Sequence, residues 1–172
     1  KELSDAGAEI AIHGYDHANF RRLSRDQARW QFEKAIEAYE RSGIPFEGFR
    51  CPYLSYTPDV RAILPDGAFT YSSNTAIARQ VVQVDAEHPV FAQLARNYRA
   101  APSDDAVCTP SIDGPLVELP VCVPDDLQLC DGLGLGKDGL LRSWVAMLHE
   151  AHSRGELFAP LFHPEAYDLL DG

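Results

Sequence analysis

The sequence predicts an α/β fold with a mainly parallel sheet. Two observations predict it. Short apolar, β-prone stretches alternate with segments of helical period, and polar or reactive side chains gather just beyond the ends of those stretches. In folds of this class, sites form at the C-terminal ends of strands.

Taken in order, Lys1–Ala6 reads as the last turn of a helix with Gly7 as its C-cap, and Glu9–Ile12 as a first strand. Ser24 followed by Gln27 has capping-box spacing, and Ala28, Phe32, Ala35, Ile36 and Tyr39 recur at helical period, so Arg25–Ser42 is a helix ended by Gly43. Phe46–Tyr53 is a second strand with its exit loop. Thr57 caps a brief helix that has Pro58 as its first residue and ends before Pro65 and Gly67. Phe69–Ser73 and Val81–Val84 are β-prone, Val90–Tyr98 is a short helix, and Ala100–Pro110 is loop. Leu116–Val123 reads as a buried strand with Pro120 at an end or irregular edge. Asp131–Gly139, with four glycines, reads as a flexible connection. Leu140–Arg154 is a helix whose apolar face carries Leu141, Trp144, Val145, Leu148 and His152, and Leu157–Phe162 is a final strand opening onto His163 and Pro164.

The 172 residues are expected to form one domain, 1–172, with a substantial core. A formal charge of -11 disfavours nucleic acid and anionic membrane surfaces as partners, since both present phosphates to an acidic protein. No apolar run is long enough for a bilayer span. The four cysteines form no C-x-x-C, so they read as buried free thiols, which leans towards a reducing, cytoplasmic compartment. The sequence begins at Lys1 and its one methionine is Met147, so it reads as a piece of a longer protein.

The stretch GAEIAIHGYDHAN, Gly7–Asn19, places His13 and His17 in the turn after the first strand. Neutral imidazole suits zinc and its first-row neighbours, but a hydrolytic site needs a third protein ligand. Taken alone, the pair is equally a solvated turn. Arg50 in FRCPY is either functional or a structural ion-pair partner, and Tyr53 either functional or an aromatic cap on the core. Asp125 and Asp126 suit a turn after Pro124. The spacing of His149 and His152 in HEAHS is one residue short of a zinc-protease motif, so packing and solvation explain them. His88–Pro89 lies in a loop and is not assigned a role.

Three segments in order carry a resemblance. GAEIAIHGYDH resembles the H-[ST]-x-x-H motif of the polysaccharide deacetylase family, carbohydrate esterase family 4, with Gly14 where Ser or Thr is usual. FRCPY resembles its R-x-P-Y motif, with Leu54 in place of the usual following Gly, and LFAPLFHP resembles its hydrophobic strand ending in His-Pro. The family's Asp-Asp motif is expected before Lys1, and its fourth motif is matched only loosely by PDDL, Pro124–Leu127.

The resemblance implies an incomplete, distorted (β/α) barrel without its first strand. It also implies a metal-dependent hydrolase that removes acetyl from an N-acetylated sugar or polysaccharide. The family pattern gives His13 and His17 as ligands of a divalent metal, zinc first, with an upstream Asp as the third. It gives Arg50 as the partner of a catalytic Asp, the Tyr53 backbone N–H as an oxyanion donor, and His163 as the general acid with Asp125 or Asp126 beside it. Without the Asp-Asp motif the piece alone is not expected to be active. Two other functions stay open: hydrolysis of another C–N bond, of cyclic-imide or allantoin type, and a non-catalytic carbohydrate-binding relative.

Overall fold

The computed structural model describes residues 2–64, 66–81 and 84–164. Its helices are α1 (Glu2–Asp5), α2 (Arg25–Ser42), α3 (Pro58–Arg61), α4 (Pro89–Tyr98) and α5 (Lys137–Arg154). Its strands are β1 (Gly48–Phe49), β2 (Tyr71–Ser72), β3 (Ala76–Ala78), β4 (Ala101–Pro102), β5 (Ser111–Asp113), β6 (Leu116–Glu118) and β7 (Val121–Val123). The fold class is α/β with mainly parallel pairing, as the sequence predicts. Two sheets form, and neither closes into a barrel among the described residues. Chain contacts divide the protein into two compact units.

The first unit comprises Lys1–Asn74 and Ser111–Leu119. Its sheet has the order β1-β2-β6-β5, parallel except for the β5–β6 hairpin. That hairpin turns through Gly114 and Pro115, and Gly114 has φ +64°, a conformation that favours glycine. The expected strand Glu9–Ile12 is reduced to one parallel bridge, Ile12 to Phe49, because β1 offers only two residues for pairing. Helix α2 matches its sequence reading at both ends. Ser24 and Gln27 exchange the two capping-box bonds, and Gly43 ends the helix at φ +62°. Its buried face sets Phe32 against Phe20, Phe49 and Phe69, with ring centroids 5.1, 5.5 and 6.0 Å away. Thr57 caps α3 with Pro58 in its first turn, as expected.

The second unit comprises Thr75–Pro110 and Pro120–Gly172. Its sheet is β4-β3-β7, all parallel, and Pro160 bridges to Cys122. The predicted strand Leu116–Val123 is therefore two strands in two sheets. Pro120, which has no N–H to give a ladder, lies at the break. Of the predicted strand Val81–Val84, residues 82 and 83 lie outside the described residues. Val84 N–H bonds the Val81 carbonyl in a turn, and the strand is β3, which the sequence reading missed. The expected final strand Leu157–Phe162 contributes the bridge at Pro160 alone. His88 accepts the Val90 N–H and caps α4.

Helix α5 starts three residues earlier than predicted and buries a different face. Leu140, Ser143, Met147 and Ala151 point inward, with Leu140 and Met147 packing beside Leu129 and Val81. The predicted face is exposed at Leu141, Val145, Leu148 and His152. Both stripes have helical spacing, so periodicity cannot choose between them; tertiary packing does. No helix among the described residues is long and apolar enough to cross a membrane.

Truncating the hub of the first core, Phe32→Ala, is expected to lower stability by about 3–5 kcal/mol. A shift in the denaturant midpoint at constant m measures this loss.

Candidate functional site

In the first unit the chain leaves Ile12 and enters the histidine turn. His13 Nδ1 lies 2.8 Å from the Arg50 carbonyl oxygen. A carbonyl can only accept, so Nδ1 carries the proton and the neutral ring presents the Nε2 lone pair. Gly14 sits at φ +73°, and a Cβ there would lie 3.2 Å from Pro52 Cγ. Strain and crowding together account for glycine where the family pattern has Ser or Thr. Gln31, buried on α2, accepts the backbone N–H groups of Tyr15 (3.0 Å) and Asp16 (3.2 Å), which pins the turn to the helix.

The His13 and His17 rings meet with centroids 5.0 Å apart, and Tyr53 lies 4.9 Å beyond His17. His17, Tyr53 and Leu54 all adopt left-handed backbone conformations, at φ 57°, 59° and 48°. Outside glycine such conformations are uncommon and persist where the surroundings impose them. Here Pro52 and Leu54 are buried, and the Ser55 hydroxyl donates to the Pro52 carbonyl at 2.6 Å. Tyr53 is left half exposed, its ring on His17 rather than capping the core.

Arg50 donates from Nε to the Ser73 carbonyl (3.0 Å) and from Nη2 to Ser73 Oγ (2.8 Å). It makes no carboxylate salt bridge among the described residues. Burial lowers its pKa from the usual guanidinium value. Behind it, the Cys51 N–H donates to Asn74 Oδ1 at 2.7 Å and the Asn74 N–H to Glu118 Oε1 at 2.6 Å. The Ser72 hydroxyl donates to the other Glu118 oxygen. The sequence places Tyr71–Asn74 at a strand end beside the site without giving Ser73 or Asn74 a role, and it misses Glu118. The available signal was a polar Ser-Ser-Asn run directly after a β-prone stretch, and a Glu inside an apolar one.

The second unit brings Asp125, Asp126 and His163 together, with one ligand atom from each within 4.8 Å of the others. It is the one such group of three among the described residues. Asp126 is fully buried and accepts from His163 Nδ1 (2.7 Å) and the Leu127 N–H (2.9 Å) through Oδ1, and from the His163 N–H through Oδ2. Those bonds fix the imidazole with Nδ1 protonated, so that Nε2 faces away from the carboxylate. They also occupy the Asp126 oxygens, which makes Asp126 an anchor for His163 more than a metal ligand. Asp125 and Gln128 exchange backbone-to-side-chain bonds, both 2.8 Å. This D-x-x-Q capping box was open to sequence reading.

Among the described residues Asp125 Oδ2 is buried without a hydrogen-bond partner, and burial pushes the carboxyl pKa up to about 6. The folded protein therefore holds this proton more tightly than the unfolded chain, and stability falls as pH rises from about 4 to 6. The lost stability is on the order of 3 kcal/mol. Asp125→Asn, which keeps the capping oxygen, is expected to be more stable than the parent at pH 8 and equal to it at pH 4. Denaturant midpoints at the two pH values test this.

With this geometry in place, comparison with known proteins gives a consistent result. The polysaccharide deacetylase family model matches residues 1–72. A solved structure from Mycobacterium smegmatis, assigned by name as a polysaccharide deacetylase, is 25% identical with a TM-score of 0.68. The match covers 95% of this chain and 52% of that one, so the chain spans about half the length of its relative. The Xyl-CE4 domain of a multidomain xylanase from the hindgut metagenome of Trinervitermes trinervoides is 16% identical, covering 97% and 67% with a TM-score of 0.39. A CE4 family pseudoenzyme from Bacillus anthracis is 18% identical, covering 99% and 49% with a TM-score of 0.44. No curated protein matches the sequence.

Proposed function

The chain resembles the polysaccharide deacetylases, and on that premise we propose that it is part of a metal-dependent amide hydrolase releasing acetate from an N-acetylated carbohydrate. The observation that carries this reading is the state of His13. Its Nδ1 donates to the Arg50 carbonyl, which sets the tautomer, and its ring meets that of His17. A ligating histidine ordinarily donates its second nitrogen to such an acceptor, which fixes its tautomer.

Two imidazoles fit a divalent first-row ion, zinc first, and a carboxylate would complete the set. When bound, such an ion supplies Lewis-acid polarisation of the acetyl carbonyl and activation of water. This chain's own residues do the rest. His13 and His17 supply nitrogen donors on a turn that Gln31 holds against α2. Pro52 and the left-handed Tyr53 and Leu54 set a rigid backbone corner beside His17, suited to presenting the Tyr53 N–H to an oxyanion. Arg50, held by Ser73, supports this corner and carries fixed positive charge for a catalytic carboxylate.

Hydrolysis of the amide consumes water and yields acetate and an amine, and the departing nitrogen needs a proton. The family resemblance assigns that role to His163, whose ring Asp126 orients through Nδ1. The alternative C–N hydrolases and the non-catalytic carbohydrate binder share the scaffold. The His13–His17 pair favours the metal-dependent reading over metal-free C–N hydrolysis, and an Asp-Asp upstream in the full-length protein separates catalysis from carbohydrate binding alone.

Purified protein loaded with zinc and dialysed is expected to retain about one ion per chain by plasma mass spectrometry, on the stoichiometry of a mononuclear site. The double variant His13→Ala, His17→Ala is expected to retain none while keeping its circular dichroism spectrum. Acetate release from N-acetylated oligosaccharides by the full-length protein, lost with His163→Ala while metal is kept, would assign the proton donor. Full zinc retention by the double variant contradicts the reading.

A further inference from the structure

A buried cluster in the second unit has no part in the proposed hydrolysis. Arg79 is fully buried, and its guanidinium donates from Nε to Cys122 Sγ at 3.2 Å. From Nη2 it meets Glu156 at 2.7 Å and the Leu157 carbonyl at 3.2 Å, while Nη1 lies 3.3 Å from Glu150. Cys108 Sγ lies 3.9 Å from Cys122 Sγ, and both thiols are buried. The two sit on independent supports. Cys122 is the central residue of β7, and Cys108 is held by the bond from the Leu157 N–H to its carbonyl at 2.7 Å.

The environments of the two sulfurs differ in a way that assigns roles. Hydrogen bonds from Cys108, Arg79 and the Ala159 backbone pull the Cys122 thiol down from its ordinary value, whereas the same contact and burial push Cys108 up. The Arg79 Nε contact at 3.2 Å favours the thiolate on Cys122, with Cys108 as the thiol beside it. A thiolate next to a cation, with a second thiol in van der Waals contact, is the arrangement of an oxidisable nucleophile and its resolving partner. Cys130 supplies a contrast within the same unit. It is more exposed, but burial and the negative charges of Asp126, Asp131 and Asp125 raise its pKa.

From this juxtaposition we infer that Cys108 and Cys122 form a peroxide-sensitive dithiol, in which Arg79 holds Cys122 as the attacking thiolate and Cys108 closes the disulfide. The Cys122 thiolate attacks one peroxide oxygen, the O–O bond breaks, and hydroxide leaves, giving a sulfenic acid on Cys122. Cys108 then attacks that sulfur. The S–S bond forms, the S–O bond breaks, and the Cys108 proton leaves with the hydroxyl as water. Two thiols and one hydrogen peroxide give one disulfide and two waters. The burial of both sulfurs selects a small oxidant over a bulky disulfide.

The test uses the whole chain, folded and reduced, exposed to hydrogen peroxide, then denatured and alkylated. Two of the four cysteines are expected to lose alkylation, the intact mass to fall by two hydrogens, and peptide mapping to return Cys108 linked to Cys122. Cys108→Ser is expected to stop at a sulfenic acid on Cys122, trapped by dimedone added with the denaturant after peroxide is removed, and to be labelled there at lower peroxide than Cys130. Cys122→Ser is expected to leave Cys108 unlabelled. Retention of all four alkylatable thiols overturns the inference, as does a different linked pair or dimedone labelling of Cys130 before Cys122.

Discussion

The carboxylate of Glu118, buried at the end of β6, is the constraint on which the first unit's candidate site depends. A charge removed from water must be compensated by donors, and those donors here are the Ser72 hydroxyl and the Asn74 N–H. Placing Asn74 in turn places its side-chain oxygen for the Cys51 N–H. The Arg50–Cys51 peptide is thereby oriented, and its carbonyl meets His13 Nδ1. Arg50 itself is tied to Ser73, whose hydroxyl donates to the Leu119 carbonyl at 2.8 Å. A path of hydrogen bonds thus runs from one buried carboxylate to the tautomer of an imidazole far away in sequence. One atom along it is left over: Asn74 Nδ2 is buried without a hydrogen-bond partner among the described residues.

Much of the fold was legible because local signals there agree with tertiary packing. Helix α2 carries its capping box, its period and its terminal glycine between Ser24 and Gly43, and all three point to the same boundaries. Thr57–Pro58 likewise marks α3. Legibility failed where the deciding term is not local. Leu141 and Leu140 are equally good core residues by period, and only the packing of Leu129 and Val81 against Leu140 and Met147 separates them. The strands are two or three residues long, too short for an alternation pattern to set their ends. Leu116–Val123 looked continuous because both its halves are apolar. Pro120 was the correct warning, and its consequence was a change of sheet.

The candidate site divides in the same way. His13, His17, Arg50, Tyr53 and His163 were visible as residue types at the ends of apolar stretches. The supporting roles of Ser73, Asn74 and Glu118 were not, because they act through contacts with segments far away in sequence. Gly14 shows the limit in the other direction. As a departure from the family pattern it reads as a loss, whereas its left-handed φ and its closeness to Pro52 make glycine the fitting residue. Asp125 and Asp126 were one undivided candidate in the sequence. The structure gives them separate work, Asp126 anchoring His163 and Asp125 capping the turn that Gln128 closes.

The central claim is that this network sets His13 in the Nδ1-protonated form, ready to donate Nε2, before any ligand arrives. Long-range proton–nitrogen NMR of the metal-free, nitrogen-labelled protein, above the pH at which the ring titrates, reads the tautomer directly. The account predicts a His13 spectrum with protonated Nδ1 and bare Nε2. A ring protonated at Nε2, or one exchanging freely between the two forms, would contradict it.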